Sequence, residues 1–203
     1  MQLLSLSVHN LGVFKGQHTF DLAPIPWPDD ARRHLTIIMG HNGTGKSTLF
    51  QALSLALHGS LALGERVSRR DYSEFLLGRL HHHSQGDGTA ISDEGGVTLC
   101  FEYVLSGQPM HIQVERYWQR SGLNAFETLN VAKDGELLDL HPSDRQTWLN
   151  DLIPPGLAPI FFFDAEQLDS LASPEQHSGA LGNTLRRMLG LDMVNQLQSD
   201  LTH

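Results

Sequence analysis

Cysteine is almost missing: Cys100 is the only one in 203 residues. An internal disulfide is therefore impossible, and a reducing cytoplasm is the natural setting. Apolar runs of membrane-spanning length are missing as well, which excludes a transmembrane helix. The opening residues, Met1-Gln2-Leu3-Leu4-Ser5-Leu6, alternate like a strand. They lack the basic start and cleavage site of a secretory signal. Positive charge is scarce: 14 basic against 23 acidic residues leave a formal charge of −9. That argues against a global attraction to nucleic acid, although a local basic patch remains open. Arg66, Arg69, Arg70 and Arg79 lie close together, and a solvated helix face is the favoured reading of them. No internal repeat is present. The length suits one domain, or one large lobe of a bigger assembly, with room for a real core.

What the chain does have is Gly40-His41-Asn42-Gly43-Thr44-Gly45-Lys46-Ser47-Thr48, which fits the phosphate-binding pattern G-x-x-x-x-G-K-[ST]. An apolar β-type run, residues 35–39, precedes it. A helical pattern over residues 49–58, closed by Gly59, follows. Strand, glycine loop and helix are the context this chemistry needs. Glycines let the backbone wrap phosphates with its N–H groups inward, and the helix start adds partial positive charge. Lys46 is expected to reach the β- and γ-phosphates of ATP, and the Ser47 hydroxyl to ligate Mg2+.

Outside the loop, residues 2–8 and 18–22 are expected strands with a loop at 9–16 between them. A proline-rich connector spans 23–30. A weaker helical stretch covers 61–80, and a polar, glycine-rich segment near 81–96 reads as a mobile loop. His81, His82 and His83 are adjacent, so they do not share one side of a regular element and make a poor metal chelate. Residues 97–105, 110–118 and 126–131 form an antiparallel meander, with a turn at Lys133-Asp134-Gly135-Glu136. Residues 143–152 read as a helix with Ser143 and Asp144 as capping candidates, broken by Pro154-Pro155-Gly156. From Gly179 onward, apolar residues recur every three or four positions, as on a surface helix or at the opening of a coiled coil.

Two short stretches invite comparison with ABC-type ATPases. Leu105-Ser106-Gly107-Gln108 resembles the start of their signature sequence, but that signature must begin a helix, and here a strand follows. A hairpin turn is the expectation. Ile160-Phe161-Phe162-Phe163-Asp164 resembles a Walker B strand, with Glu166 as a water-positioning group. It equally suits the loop that follows the meander in split ATPase heads. In both readings Asp164 and Glu166 lie near the nucleotide; the alternative is a pair of exposed carboxylates at a strand end.

Taken together, Leu6 to Phe14, the phosphate loop and Phe161-Phe162-Phe163-Asp164-Ala165-Glu166 resemble the N-terminal head segment of SMC-like and double-strand-break-repair ATPases. The phenylalanine run is similar to that of the DndD family, the ATPases of bacterial DNA phosphorothioation systems. Met188-Leu189-Gly190-Leu191-Asp192 resembles the point where that family enters its coiled coil. The resemblance implies an α/β fold: a P-loop NTPase, specifically the N-terminal lobe of an ABC/SMC-type ATPase head, with an antiparallel β-meander. Residues 1–173 would form the lobe, and residues 174–203 a C-terminal helix leading to a coiled coil.

By the same resemblance, Lys15 matches a basic position that reaches nucleotide phosphate. His41, Asn42, Gly43, Thr44, Gly45, Lys46, Ser47 and Thr48 match the phosphate loop. Lys46, Asp164 and Glu166 are the candidate catalytic residues, and Ser47, Asp164 and Gln167 the candidate Mg2+ contacts. Asp164 stands where such heads often carry the Q-loop glutamine, with Gln167 three residues on, and Ala165 replaces a usual glycine. Such heads are completed by a C-terminal half bearing the signature helix, Walker B and the catalytic glutamate. The expectation is a fragment, a truncated chain or one half of a head, binding ATP weakly alone and hydrolysing it slowly or not at all. The expected partners are that complementary half, a second head in a head-to-head dimer, DNA, and DNA-modification proteins of the Dnd type, with no membrane. Two other classes compete: a complete small P-loop kinase, which the antiparallel meander fits poorly, and a non-catalytic module that holds nucleotide as a structural ligand.

Overall fold

The computed structural model describes residues 1–24, 36–64, 66–85, 88–105 and 107–155. The chain divides into two compact units, Met1–Leu152 and Ile153–His203, and every element named below belongs to the first. Its centre is a sheet of six strands, all antiparallel. They are β1 (Gln2–Leu11), β2 (Phe14–Asp21), β5 (Glu94–Leu105), β6 (Gln108–Ser121), β7 (Asn124–Lys133) and β8 (Glu136–Leu137), in the spatial order β2-β1-β5-β6-β7-β8. Strands β3 (His82–Gln85) and β4 (Gly88–Ile91) form a separate hairpin. The α-helices among the described residues of this unit are α1 (Lys46–His58), α2 (Arg69–Gly78) and α3 (Pro142–Leu152).

Period-two patterning sets the register. Leu6 pairs with Leu99, Leu99 with Val114, and Val114 with Val131, so one row of buried apolar side chains crosses four strands. In the next row Val8 pairs with Val97, and Val97 with Arg116. There a cation occupies an inward position and is only 3% exposed. Helix α1 packs over β1, β5 and β6, while α2 and α3 pack over β7. Leu49, Ala52, Leu53, Leu55, Ala56 and Leu57 of α1 are buried. Each fully buried leucine contributes about 1.5–3 kcal/mol.

The meander agrees with expectation and is longer than expected. Leu105 pairs with Gln108 around Gly107, whose φ is +79°, so the signature-like stretch is a hairpin turn. Lys133 pairs with Glu136 around Asp134 and Gly135, both at positive φ. The first two strands run on into the expected loop and leave only Gly12 and Val13 between them.

Four expectations need correction. Residues 36–40 form no strand, and Ile37 and Met39 are 70% and 87% exposed. A strand exists only where neighbours take up its backbone groups, and among the described residues nothing pairs with this segment. The segment expected as a mobile loop near 81–96 contains the β3–β4 hairpin and the start of β5. Backbone pairing accepts polar residues, so composition alone concealed it. The stretch 61–80 divides into a 3-10 turn, Gly59–Leu63, and the helix α2, capped by Ser68, whose side chain accepts from the Asp71 amide at 3.1 Å. Finally, α3 begins at Pro142, so Ser143 and Asp144 lie inside its first turn rather than capping it.

Candidate functional site

Helix α1 starts one residue after Gly45, whose φ of +100° is natural only to glycine. A side chain there would also collide, because a Cβ would lie 2.6 Å from the Phe14 ring and 2.7 Å from Val13. Gly45 O accepts the first helical bond, from Leu49 N at 2.9 Å. The amides of Lys46, Ser47 and Thr48 at the helix start have no carbonyl one turn back within the helix. No acidic residue stands in that first turn, so nothing there neutralises the positive end of the helix dipole. Such a start favours an anion.

The loop is folded on itself. Lys46 Nζ donates to Gly40 O and His41 O, each at 2.8 Å, and Thr44 Oγ1 donates to His41 O at 2.8 Å. The ammonium is thus held against the loop's own backbone instead of extending into solvent. His41, Asn42, Gly43, Thr44 and Ser47 are exposed, and Lys46 and Thr48 are half-buried. The donor set of amides, one ammonium and one hydroxyl suits a phosphate tail. For a divalent cation the Ser47 hydroxyl is the candidate among the described residues, and among them no cluster of three His, Cys, Asp or Glu could hold a metal. Asp164, Glu166 and Gln167 lie outside the described residues.

The turn between β1 and β2 braces this loop. Gly12 approaches so close to Thr48 that a Cβ would lie 2.9 Å from its methyl, and Val13 and Phe14 touch Gly45. The turn is itself fixed from behind. Gly12 N donates to Arg79 O at 2.8 Å, and His81 Nδ1 donates to Gly12 O at 2.8 Å. Lys15 follows Phe14 on β2 and is exposed. Of the four arginines near α2, Arg66 and Arg69 are exposed, Arg70 pairs with Glu74 at 2.9 Å, and the Arg79 guanidinium lies over the Phe75 ring. That is the solvated face expected of them.

The other end of α1 holds residues that no motif announced. Gly59 ends the helix at φ +54°, with its α-carbon against the Arg116 guanidinium. Arg116 Nη2 donates to Ala56 O at 3.4 Å and to Gln146 Oε1 at 2.5 Å, and Gln146 Nε2 donates to Leu57 O at 3.0 Å. Arg116 Nη1 donates to Glu127 Oε1 at 3.0 Å, and the Tyr72 hydroxyl donates to the same oxygen at 2.6 Å. Burial, more than the neighbouring charges, pushes the Tyr72 phenol up. His58 is buried beside Arg116, and neither ring nitrogen has a hydrogen-bond partner among the described residues. Burial, reinforced by the Arg116 charge, lowers its pKa from 6.5 to about 4. The only signal for this cluster was an arginine at an inward position of an alternating strand.

A family model described as an AAA domain matches residues 5–175, most of the chain. The chain belongs to the AAA domain family. In this AAA domain the phosphate loop, α1 and all of the six-stranded sheet except the first three residues of β1 fall inside the matched region. The SbcC subunit of the nuclease SbcCD from Treponema pallidum (strain Nichols) is 38% identical over 67 residues. That stretch is 33% of this chain and 6% of the relative, so the chain spans a small part of that protein's length. No helix among the described residues is long and apolar enough to cross a membrane.

Proposed function

We propose that this AAA domain is the ATP-binding N-terminal part of an SMC-like ATPase head acting in DNA metabolism. The observation that carries the reading is the start of α1: amides without intrahelical partners, Lys46 and Ser47, left-handed Gly45, and no carboxylate in the first turn. Lys46 would exchange its two loop carbonyls for the β- and γ-phosphates of ATP, and Ser47 would hold Mg2+. The metal would neutralise the terminal phosphates. Lys15, beside the bracing turn, is the further candidate for the phosphate tail.

The name of the matched relative, part of a nuclease, supports a DNA-linked role. The finer assignment is to the DndD-type ATPases of DNA phosphorothioation. It rests on the phenylalanine run ending in Asp164-Ala165-Glu166 and on the apolar periodicity after Gly179. In this reading hydrolysis needs a complementary C-terminal half, and Asp164, Glu166 and Gln167 join the site with it. Two completed heads would share ATP, and binding across both surfaces would favour the closed dimer through differential affinity. A coiled coil would carry that change to DNA and to Dnd-type partners in the cytoplasm.

The test is ATP binding to the purified chain by calorimetry, with Lys46→Ala as control, repeated with the complementary half supplied. Saturable binding lost in Lys46→Ala supports the reading. Absence of binding in both preparations overturns it. Robust turnover by the chain alone, abolished by Lys46→Ala, would refute the need for a second half.

A further inference from the structure

We propose that Arg116 is a positioning residue for nucleotide binding, holding the C-terminal end of α1 so that the amides at its N-terminal end stay aimed at the phosphates. The proposal rests on the reading that the start of α1 is the phosphate site.

Helix ends leave carbonyls without intrahelical partners, and here two of them are taken by side chains from other elements. Arg116 of β6 takes Ala56 O, and Gln146 of α3 takes Leu57 O. Each partner is fixed in turn. Gln146 Nε2 also donates to Asn150 Oδ1 at 2.9 Å. Glu127 of β7 is shared between Arg116 and Tyr72 of α2. One guanidinium thus joins α1 to β6, β7, α2 and α3. The charge lies at the negative end of the helix dipole, where a cation is favoured. Gly59 is part of the device, because any side chain there would occupy the space of the guanidinium: a Cβ would sit 2.8 Å from Nη1.

Length turns this anchor into control of the site. A 13-residue helix is about 20 Å long, so a tilt of about 3° about its C-terminal end moves its first turn by about 1 Å. Displacements of that size at a reacting group cost on the order of 100-fold in rate. At the other end the Gly12–Phe14 turn lies against Gly45 and Thr48, and Lys46 is bonded to its own loop. Lysine could keep the charge of Arg116 but not the fork that reaches Ala56 O, Gln146 and Glu127 together.

The experiment compares the full chain with Arg116→Lys and Gln146→Leu. Affinity for ATP and for inorganic tripolyphosphate is measured, together with the melting temperature and the backbone amide shifts of Gly43, Gly45 and Lys46. We expect both ligands to weaken by about fivefold or more in each variant that remains folded at the assay temperature, with the three amide shifts displaced before ligand is added. A merely structural arginine would lower the melting temperature and leave the affinity of the folded molecules unchanged. Unchanged affinities and amide shifts in the folded variants overturn the proposal. If Arg116→Lys does not fold, Gln146→Leu, which removes the Leu57 contact and keeps the arginine, decides by the same criteria. If the wild-type chain binds neither ligand, the phosphate-site reading has failed. Undisplaced amide shifts in that case would also reject the anchoring role.

Discussion

The two ends of α1 are built on opposite principles. At Gly45 the backbone is open: its amides lack intrahelical partners, the neighbouring loop residues are exposed, and the Lys46 ammonium rests on loop carbonyls. At Gly59 the backbone is closed: carbonyls of the last turn are taken by Arg116 and Gln146, and the surroundings are buried. Both ends use a glycine with positive φ, for different reasons. Gly45 makes room for the β1–β2 turn, and Gly59 makes room for a guanidinium. A binding site needs unsatisfied groups, and a helix with one unsatisfied end is held in place by satisfying the other.

The largest effect is expected from Arg116→Ala. It leaves Glu127 and the Ala56 carbonyl without their cation, and breaking a buried pair from one side costs about 3–5 kcal/mol. Urea denaturation measures this; a loss below about 1 kcal/mol would erase the distinction between the ends. Next comes Lys46→Ala. It should weaken ATP by about 100-fold, the worth of a charged hydrogen-bond pair, while the denaturation midpoint stays in place. A large drop in stability would make the open end a structural element after all.

Gly45→Ala and Gly59→Ala form a matched pair, each costing about 1–3 kcal/mol through strain and collision. Removing the obstacle should separate them. Phe14→Ala is expected to recover part of the Gly45→Ala loss and none of the Gly59→Ala loss. Equal recovery in both would show that the ends are not independent.

The smallest effect concerns pH. The folded pKa of His58, about 4, lies below its ordinary value of 6.5. Above pH 6.5 the ring is neutral in both folded and unfolded chains. Between about 6.5 and 4 the unfolded chain takes up the proton first, so stability falls as pH falls through that window. Melting temperatures of His58→Leu against wild type should converge with a shallower acid slope in the variant; identical slopes would mean that the ring is not held neutral.

The open end was legible because its chemistry is contiguous. Nine successive residues carry the loop, and the helix start follows within them. The meander was legible for a related reason: alternation over residues 110–118, broken only by the inward Arg116 and the outward Tyr117, and short turns at Gly107 and Gly135 are local signals. The segment before the loop misled. Ile37, Ile38 and Met39 have strand propensity, yet a strand is a property of two chains in register. The β3–β4 hairpin escaped for the converse reason, since its pairing involves backbone groups that composition does not report. The predicted contacts of Asp164, Glu166 and Gln167 fall outside the described residues.

Sequence alone therefore determined the loop, the helix that follows it and the alternation of the meander, because backbone freedom at glycine and side-chain period are set by neighbours in the chain. Tertiary structure alone decided that Arg116 would meet Ala56 across 60 residues, and Gln146 would meet Leu57 across 89. No local rule links such distant positions. Only the stacking of α1 over β6, with α3 beside it, brings a guanidinium to the end of a helix, and the low dielectric of that site makes its hydrogen bonds strong.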